Sequence, residues 1–191
     1  PQSDLYFAIQ LFPWGEPGGA ALRTTLVALL GHPHSALRTQ ALEALARLHP
    51  AEPASCRAEL LAALRDGSVQ VRSAALVSLA KWPDVDASVI QALTQASTDE
   101  IDSVAAAALR ALVATYRSAG ESNRSVVANA VVACLDGPFT RALVAACESL
   151  ATLAALSANC QAGVPRLVAL LGDEREAVRT GAAFGLGVLG L

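Results

Sequence analysis

Apolar residues recur along this chain with the spacing of an amphipathic helix. Five segments align without gaps, and three columns of the alignment are apolar in every segment. The columns are Leu37, Val71, Val104, Ala142 and Val178; Ala41, Ala75, Ala108, Ala146 and Ala182; and Leu45, Leu79, Leu112, Leu150 and Leu186. Within a segment they stand at i, i+4 and i+8, which is one face of a helix. All three columns advance by 34, 33, 38 and 36 residues, which indicates an internal repeat.

A shorter apolar helix is predicted before each of these segments, and turn-forming residues separate the two. The predicted first helices are Ala20–Leu30, Ala58–Arg65, Ser88–Ala96, Val126–Leu135 and Val164–Leu171. Stretches with turn chemistry, such as Ala119–Asn123, are predicted between the units. The repeat is therefore an antiparallel helix pair, with units over residues 20–49, 54–82, 87–118, 124–156 and 163–191. Residues 1–19 are predicted to form a partial N-terminal helix (Asp4–Phe12) and a turn.

The composition supports a helical array and excludes other classes of protein. Of 191 residues, 41 are Ala and 29 are Leu, and both are strong helix formers. Aromatic residues make up 4%, which excludes an ordinary β-sandwich or barrel. Hydrophobic residues make up 53%, which excludes intrinsic disorder. One helix pair cannot bury both of its faces, whereas stacked pairs share a continuous core. The predicted fold is therefore an all-α solenoid.

The last segment resembles a known repeat. Val178–Gly190, with the sequence VRTGAAFGLGVLG, is similar to the second helix of a HEAT repeat. That family combines a short helix, an Asp-bearing turn, Val-Arg, paired small residues and Leu-Gly. Asp173 precedes Val178-Arg179 here, as Asp66 precedes Val71-Arg72. The resemblance, to short bacterial-type repeats of the HEAT (armadillo-like) family, covers residues 20–190. It implies a right-handed superhelical α-solenoid of about five HEAT-like helix pairs, whose second helices line a concave binding face.

Arginine and aspartate recur at fixed positions of the turn and the second helix. They are Arg38, Arg72 and Arg179 in one column, and Asp66, Asp99 and Asp173 in the preceding turn. One interpretation is a row of cations that binds an anion. In the resembled family these residues are structural, and each Arg bonds turn carbonyls and Asp carboxylates within and between units. We expect this structural ladder rather than an anion site.

Two further columns lie on the side of the second helices that faces away from the core. They comprise Glu43, Val77, Arg110, Glu148 and Phe184, and, four residues later, Arg47, Lys81, Ala114, Thr152 and Val188. A mixed polar and apolar surface of this kind predicts binding of a peptide or protein. The predicted binding residues are Glu43, Arg47, Val77, Lys81, Arg110 and Glu148. Alternatively, Glu43 and Arg47 form a solvated pair. Phe184 and Val188 are expected to be covered by a further repeat.

Charge and hydropathy limit the partners and the location. The net charge is −3, which disfavours nucleic acid because phosphate neutralisation requires a basic surface. The longest uncharged run, 149–165, has 17 residues and is too short and too polar for a transmembrane helix. The four Cys residues form no CxxC pair, which indicates buried thiols, and we expect a cytoplasmic protein. The chain lacks an initial Met and ends in an apolar run, so a fragment of a longer protein is expected.

No set of residues predicts catalysis. Sequence motifs for an activated nucleophile, for nucleotide phosphates and for a zinc-binding helix are absent. His32 and His34 offer two metal ligands, but no third ligand lies near them in the sequence, so we expect neither a metal nor a cofactor. Four glycines near the end of the chain follow helical spacing, which predicts close packing of helices rather than a phosphate loop. They are Gly181, Gly185, Gly187 and Gly190.

The function predicted from the sequence is a non-catalytic scaffold for protein–protein interaction, or a regulatory HEAT-repeat segment of a larger protein. The expected partner is a protein or peptide on the second-helix face, including other domains of the same chain. Neither nucleic acid nor a membrane is expected as a partner. The resembled family also includes phycobilin lyases and DNA glycosylases. An enzyme or chaperone similar to a bilin lyase therefore stays an alternative, and a nucleic-acid-binding protein is less favoured because the second-helix columns carry mixed charge.

Overall fold

Consecutive helix pairs account for most of the chain in the computed structural model, which describes residues 19–48, 57–81, 85–156 and 159–191. Ten α-helices in these ranges follow one another as five pairs. The pairs are α1 (Gly19–Leu29) with α2 (Ser35–Leu48), α3 (Arg57–Ala63) with α4 (Val69–Leu79), α5 (Ala87–Ala96) with α6 (Asp102–Thr115), α7 (Glu121–Ala133) with α8 (Thr140–Ala155), and α9 (Val164–Leu170) with α10 (Glu176–Val188). The partial helix predicted at Asp4–Phe12 lies outside the described residues.

The three apolar columns form the interior of these pairs. In the Ala column, all five side chains have 0% exposure. The column that begins at Leu37 and the column that begins at Leu45 are buried at every position as well. Because Ala is small and favours the helix, it lets a second helix approach its neighbours closely without loss of helical stability. The predicted repeat register is therefore confirmed.

The chain divides into two compact units, Pro1–Ser78 and Leu79–Leu191, and each has its own core. In the first unit, α2 packs against both α1 and α3. Leu26 of α1, Leu42 of α2 and Leu60 of α3 are fully buried in this core. The turn between α1 and α2 and the turn between α3 and α4 carry the polar residues of this unit that are described below.

In the second unit, the second helices form one layer. α8 packs against α6 and against α10. The first helices lie beside them, because α5 contacts both α6 and α7, and α9 contacts α10. Leu93 of α5, Leu109 of α6 and Leu143 of α8 are fully buried between the elements. The side of the α6, α8 and α10 layer that faces away from this core carries the candidate site.

One first helix begins at a polar cap, and another begins earlier than predicted. Asp86 precedes α5, and its carboxylate accepts hydrogen bonds from the backbone N–H groups of Ser88, at 2.9 Å, and Val89, at 3.1 Å. α7 begins at Glu121, well before the predicted start at Val126. Its first turn is polar and largely exposed, so it carries no apolar periodicity. The turn predicted at 119–123 is therefore wrong for residues 121–123, which are helical, while 119 and 120 lie before the helix.

The longest of these helices is α8, with 16 residues. Among the described residues, no helix combines the length and the apolar character that crossing a membrane requires.

Candidate functional site

The exposed columns of the second unit bring two predicted residues together. Arg110 on α6 and Glu148 on α8 present side chains that are 62% and 51% exposed. The Arg110 Nη2 atom lies 3.9 Å from the Glu148 Oε2 atom. At this distance and exposure an ion pair adds little to stability, because water screens both charges. Both groups therefore remain accessible to a ligand.

A groove follows this layer of second helices. Between α8 and α10 it forms a cavity of about 810 Å³, lined by Val144, Glu148, Glu176, Ala177, Thr180, Gly181 and Phe184. Between α6 and α8 it continues as a cavity of about 410 Å³, lined by Ser103, Ala106, Arg110, Thr140, Arg141, Val144 and Ala177. Val144 and Ala177 line both cavities, so the two are adjacent. We call this surface the second-helix groove.

Small residues let the helices beside the groove pack closely. A Cβ atom placed on Gly181 would lie 3.4 Å from the Cβ atom of Cys147 and 3.7 Å from the Cα atom of Val144, so α10 approaches α8 closely here. Close packing predicted for Gly181 is therefore confirmed. Gly185 also packs closely, with its Cβ position 3.2 Å from a methyl carbon of Leu167. For Gly187 the same prediction is wrong, because nothing lies within 4 Å of its Cβ position.

Phe184 and Val188 are open to solvent in this chain. Phe184 is 57% exposed. The equivalent residues Glu148 of α8 and Arg110 of α6 are also exposed, although another helix pair follows each of those helices. Coverage of Phe184 and Val188 by a further repeat stays a prediction. The exposure of equivalent residues differs elsewhere, since Leu135 is 2% exposed and its equivalent Leu171 in the last pair is 43% exposed.

The other predicted binding residues are placed as follows. Glu43 on α2 and Val77 on α4 are exposed in the first unit. Lys81 is exposed in the turn that follows α4. The side chain of Arg47 lies outside the described part of the chain. Of the six predicted residues, the structure thus brings Arg110 and Glu148 into contact.

In the first unit, Arg38 and Asp66 link two neighbouring repeats. Arg38 donates hydrogen bonds to both carboxylate oxygens of Asp66, each at 2.8 Å. It also donates to the backbone oxygens of His32, at 2.8 Å, and Pro33, at 3.0 Å. The hydrogen bond from Arg38 lowers the pKa of Asp66 below its ordinary 3.8 and raises the pKa of Arg38. Arg72 donates to the backbone oxygen of Asp66 at 2.8 Å.

In the second unit, the corresponding residues are bonded differently. Arg179 donates to the backbone oxygens of Asp173, at 2.8 Å, and Glu174, at 2.9 Å. The Asp173 carboxylate instead accepts from Arg175, at 2.7 and 2.8 Å, which lowers its pKa to about 2. Arg175 also donates to the backbone oxygen of Pro138, at 2.9 Å, in the turn of the preceding repeat. The Asp99 carboxylate accepts from the backbone N–H of Ile101, at 2.9 Å.

Asp102 makes a contact between repeats that the sequence analysis missed. Its carboxylate accepts hydrogen bonds from the backbone N–H groups of Arg141, at 3.0 Å, and Ala142, at 2.7 Å. These groups belong to the first turn of α8, where backbone N–H groups have no partner within the helix. The carboxylate thus caps a helix of the next repeat. The available sequence signal was an acidic residue at the first position of α6.

The described residues do not form a recognisable catalytic or metal centre. No group of three His, Cys, Asp or Glu side chains in the described ranges is placed to hold a metal ion. His34 donates its backbone N–H to the Nδ1 atom of His32, at 3.1 Å, which occupies that nitrogen. Burial raises the pKa of Cys147 to about 11, so this thiol is protonated and unreactive at neutral pH.

Comparisons with known proteins place the fold. Neither a scan against models of protein families nor a search of curated proteins finds a match. Solved structures do match. In the complex of CpcE and CpcF of phycocyanin lyase from Nostoc sp. PCC7120, the matching chain is 22% identical, with a TM-score of 0.64 over 87% of this chain and 99% of that chain. The chain has a HEAT/armadillo-like repeat fold.

Two designed armadillo repeat proteins show the same likeness. One, in complex with the peptide (KR)4, is 19% identical, with a TM-score of 0.63 over 98% of this chain and 93% of that chain. The other, computationally designed for modular peptide recognition, is 20% identical, with a TM-score of 0.62 over 98% of this chain and 92% of that chain. At these identities the likeness shows the fold and does not show the function.

Proposed function

We propose that this HEAT/armadillo-like chain is a non-catalytic scaffold whose second-helix groove binds an extended segment of a protein partner. The observation that carries the proposal is the groove itself, which crosses α6, α8 and α10 and is lined by both apolar and charged residues. The segment belongs either to a separate protein or to another domain of a longer chain. Binding would use the exposed residues Arg110, Glu148 and Phe184.

The dimensions of the groove suit a peptide in extended conformation. Packed helices lie about 8–10 Å apart, so the path from α6 to α10 is about 16–20 Å long. An extended chain advances about 3.3 Å per residue, which places about five or six peptide residues in the groove. A volume of about 810 Å³ in the larger cavity is within the range of cavities that hold ligands. The two designed armadillo proteins, whose names state peptide binding or recognition, support this proposal.

A library of random dodecapeptides displayed on phage supplies a defined probe. Peptides selected on the intact chain are synthesised with a fluorescent label, and their affinity is measured by anisotropy. Ala177 is exposed and lines both cavities, so Ala177→Trp fills the groove without disturbing the core. We expect this variant to lose about tenfold or more in affinity, which is about 1.4 kcal/mol.

The matched control is Ala169→Trp, which places the same side chain on the exposed face of α9, a first helix. This variant is expected to bind as the wild type does. Thermal unfolding of both variants checks that they are folded. Selected peptides that bind equally well to both variants, or a failure to select any peptide, would contradict the proposal.

A second candidate function is that of a subunit similar to those of bilin lyases. The observation that favours it is the coverage of 99% of the matching chain in the complex of CpcE and CpcF of phycocyanin lyase. Incubation of the chain with a free bilin, followed by visible absorbance, tests this candidate. A red shift or a sharpened absorption band would support it, and an unchanged spectrum would leave the scaffold proposal as the better account.

A further inference from the structure

The two cavities of the second-helix groove carry opposite charge. The cavity between α6 and α8 is lined by the guanidinium-bearing residues Arg110 and Arg141, and no carboxylate lines it. The cavity between α8 and α10 is lined by Glu148 and Glu176, and no cation lines it. The remaining lining is apolar or small, apart from hydroxyl groups. A ligand that spans both cavities therefore meets positive charge in one and negative charge in the other.

Charged groups on both sides are available to a ligand. Among the described residues, the side chains of Arg141 and Glu176 make no hydrogen bond or ion pair, and both residues are exposed. The backbone N–H of Arg141 is bonded to Asp102, which fixes the start of α8 and leaves the guanidinium to reach the groove. Arg110 and Glu148 face each other at 3.9 Å, and this exposed pair is too weak to keep either group from a ligand.

Phe184 adds an aromatic surface to the acidic cavity. It is 57% exposed and lines the same cavity as Glu148 and Glu176. A Lys or Arg side chain of a ligand can lay its apolar stem or its cation on an aromatic ring while its charged end meets a carboxylate. An acidic side chain has no such partner there. The cavity between α8 and α10 is therefore suited to a basic residue.

From this charge complementarity we infer, on the basis of the proposed function, that the groove selects an extended peptide with one acidic and one basic residue. The acidic residue lies at Arg110 and Arg141, and the basic residue lies at Glu148, Glu176 and Phe184. Adjacent helices are about 8–10 Å apart, and an extended chain in polyproline II conformation advances about 3.1 Å per residue and returns to the same face every three residues. The two charged residues are thus about three positions apart, in either chain direction. A uniformly basic peptide meets repulsion at the two arginines.

The test uses four labelled peptides of equal length with alanine between the charged positions. Two contain the acidic and basic residues three positions apart, as Asp-Ala-Ala-Arg or Arg-Ala-Ala-Asp, each next to a Leu. The other two replace both charged residues by Arg or by Asp. We expect at least one of the first two to bind the wild type at least tenfold more tightly than either uniformly charged peptide at low salt.

Reversal of one charge in the groove gives a readout that loss of folding cannot imitate. In Glu176→Arg, affinity for the mixed peptide is expected to fall at least fivefold while affinity for the uniformly acidic peptide rises. Arg141→Glu is expected to shift preference toward the uniformly basic peptide. The matched controls are Glu121→Arg, which changes an exposed Glu at the same position of α7, and Arg117→Glu, which changes an exposed Arg after α6. Neither control is expected to change any affinity.

The outcomes separate this inference from the proposed function. Some library peptides could bind Ala177→Trp more weakly than the wild type, lack the acidic and basic pair, and bind the charge-reversal variants as tightly as the wild type. That result would overturn the inference and leave the scaffold function intact. Tighter binding of the uniformly basic peptide than of both mixed peptides would also overturn it. If no peptide is sensitive to Ala177→Trp, the proposed function itself fails.

Discussion

Asp102 is a single carboxylate that stabilises the helix of a neighbouring repeat. Its hydrogen bonds to the backbone of Arg141 and Ala142 resemble those of an N-cap residue, although the carboxylate comes from a different helix pair. Such a residue contributes to stability in two ways, through the hydrogen bonds and through its negative charge at the positive end of a helix dipole. Its loss leaves two N–H groups of α8 without a protein partner.

We expect Asp102→Ala to lower the free energy of unfolding by about 0.5–2 kcal/mol, the range measured for loss of helix caps. The measurement is urea unfolding followed by circular dichroism. The matched control is Glu100→Ala, which removes an exposed carboxylate from the same turn. Equal losses for Asp102→Ala and Glu100→Ala would show that the bonds to α8 contribute nothing beyond general electrostatics.

The paired carboxylates Asp66 and Asp173 make stability depend on pH in the acidic range. Both have a folded pKa below the ordinary 3.8, and that of Asp173 is about 2. A carboxyl group with a lowered pKa stabilises the fold while it is ionised, above its unfolded pKa. This contribution is therefore complete at neutral pH and is lost as pH falls from about 4 toward about 2.

The expected result is a steeper fall of the melting temperature in the wild type than in the double variant Asp66→Asn, Asp173→Asn between about pH 5 and about pH 2. Thermal unfolding over this range measures both slopes. Other carboxylates titrate equally in the two proteins, so the difference reports these two groups. Parallel curves would show that the pairs with Arg38 and Arg175 do not depend on charge.

The helices depend on the small size of the Ala column. Ala108 lies in α6, which packs against both α5 and α8, and it is completely buried. We expect Ala108→Leu to overpack these contacts and to cost about 1–3 kcal/mol of stability. Ala114→Leu, on the exposed side of the same helix, is the control and should change the stability by less than about 0.5 kcal/mol. Chemical denaturation measures both, and equal effects would mean that the interior accepts the larger side chain at Ala108.

Helix periodicity predicted most of the fold and part of the candidate site. Buried columns repeat, so the spacing of Ala75, Ala108 and Ala146 revealed both the helices and their inner faces. Arg110 and Glu148 were found because they share an outer column. Arg141 and Glu176 were missed, since they line the space between adjacent helices. Their positions depend on how one helix is rotated against the next, and a periodic pattern within one helix does not contain that rotation.

The Arg and Asp pattern did not identify every partner of these residues. It predicted that each Arg bonds turn carbonyls and Asp carboxylates. Arg179 bonds turn carbonyls, whereas the Asp173 carboxylate bonds Arg175, which lies outside the pattern. Several cations in one turn compete for a single carboxylate, and the short tether between positions 173 and 175 favours the nearer one. Sequence spacing shows which groups are within reach of each other. It does not show which cation forms the hydrogen bonds with the carboxylate.

For the molecule as a whole, the charge balance favours a protein over a nucleic acid as the partner. The net charge of −3 is combined with a groove whose cations are balanced by carboxylates. We expect no change in mobility when the chain is mixed with duplex DNA at low salt, where nonspecific binding would be strongest. A shifted band that disappears as salt is added would contradict this expectation and would point to a basic surface elsewhere on the chain.

The Asp102 cap also restricts how the array could be rearranged. The residues equivalent to Asp102 are Ser35 in the first pair and Val69 in the second, so neither of these pairs offers a carboxylate at that place. Suppose that recombination placed the second helix pair directly before the fourth. Every apolar column would be retained, but the start of α8 would lack the carboxylate cap. The repeats have similar apolar cores and could be exchanged on that ground alone. Their polar contacts differ, so the stability of the array depends on the order of the repeats.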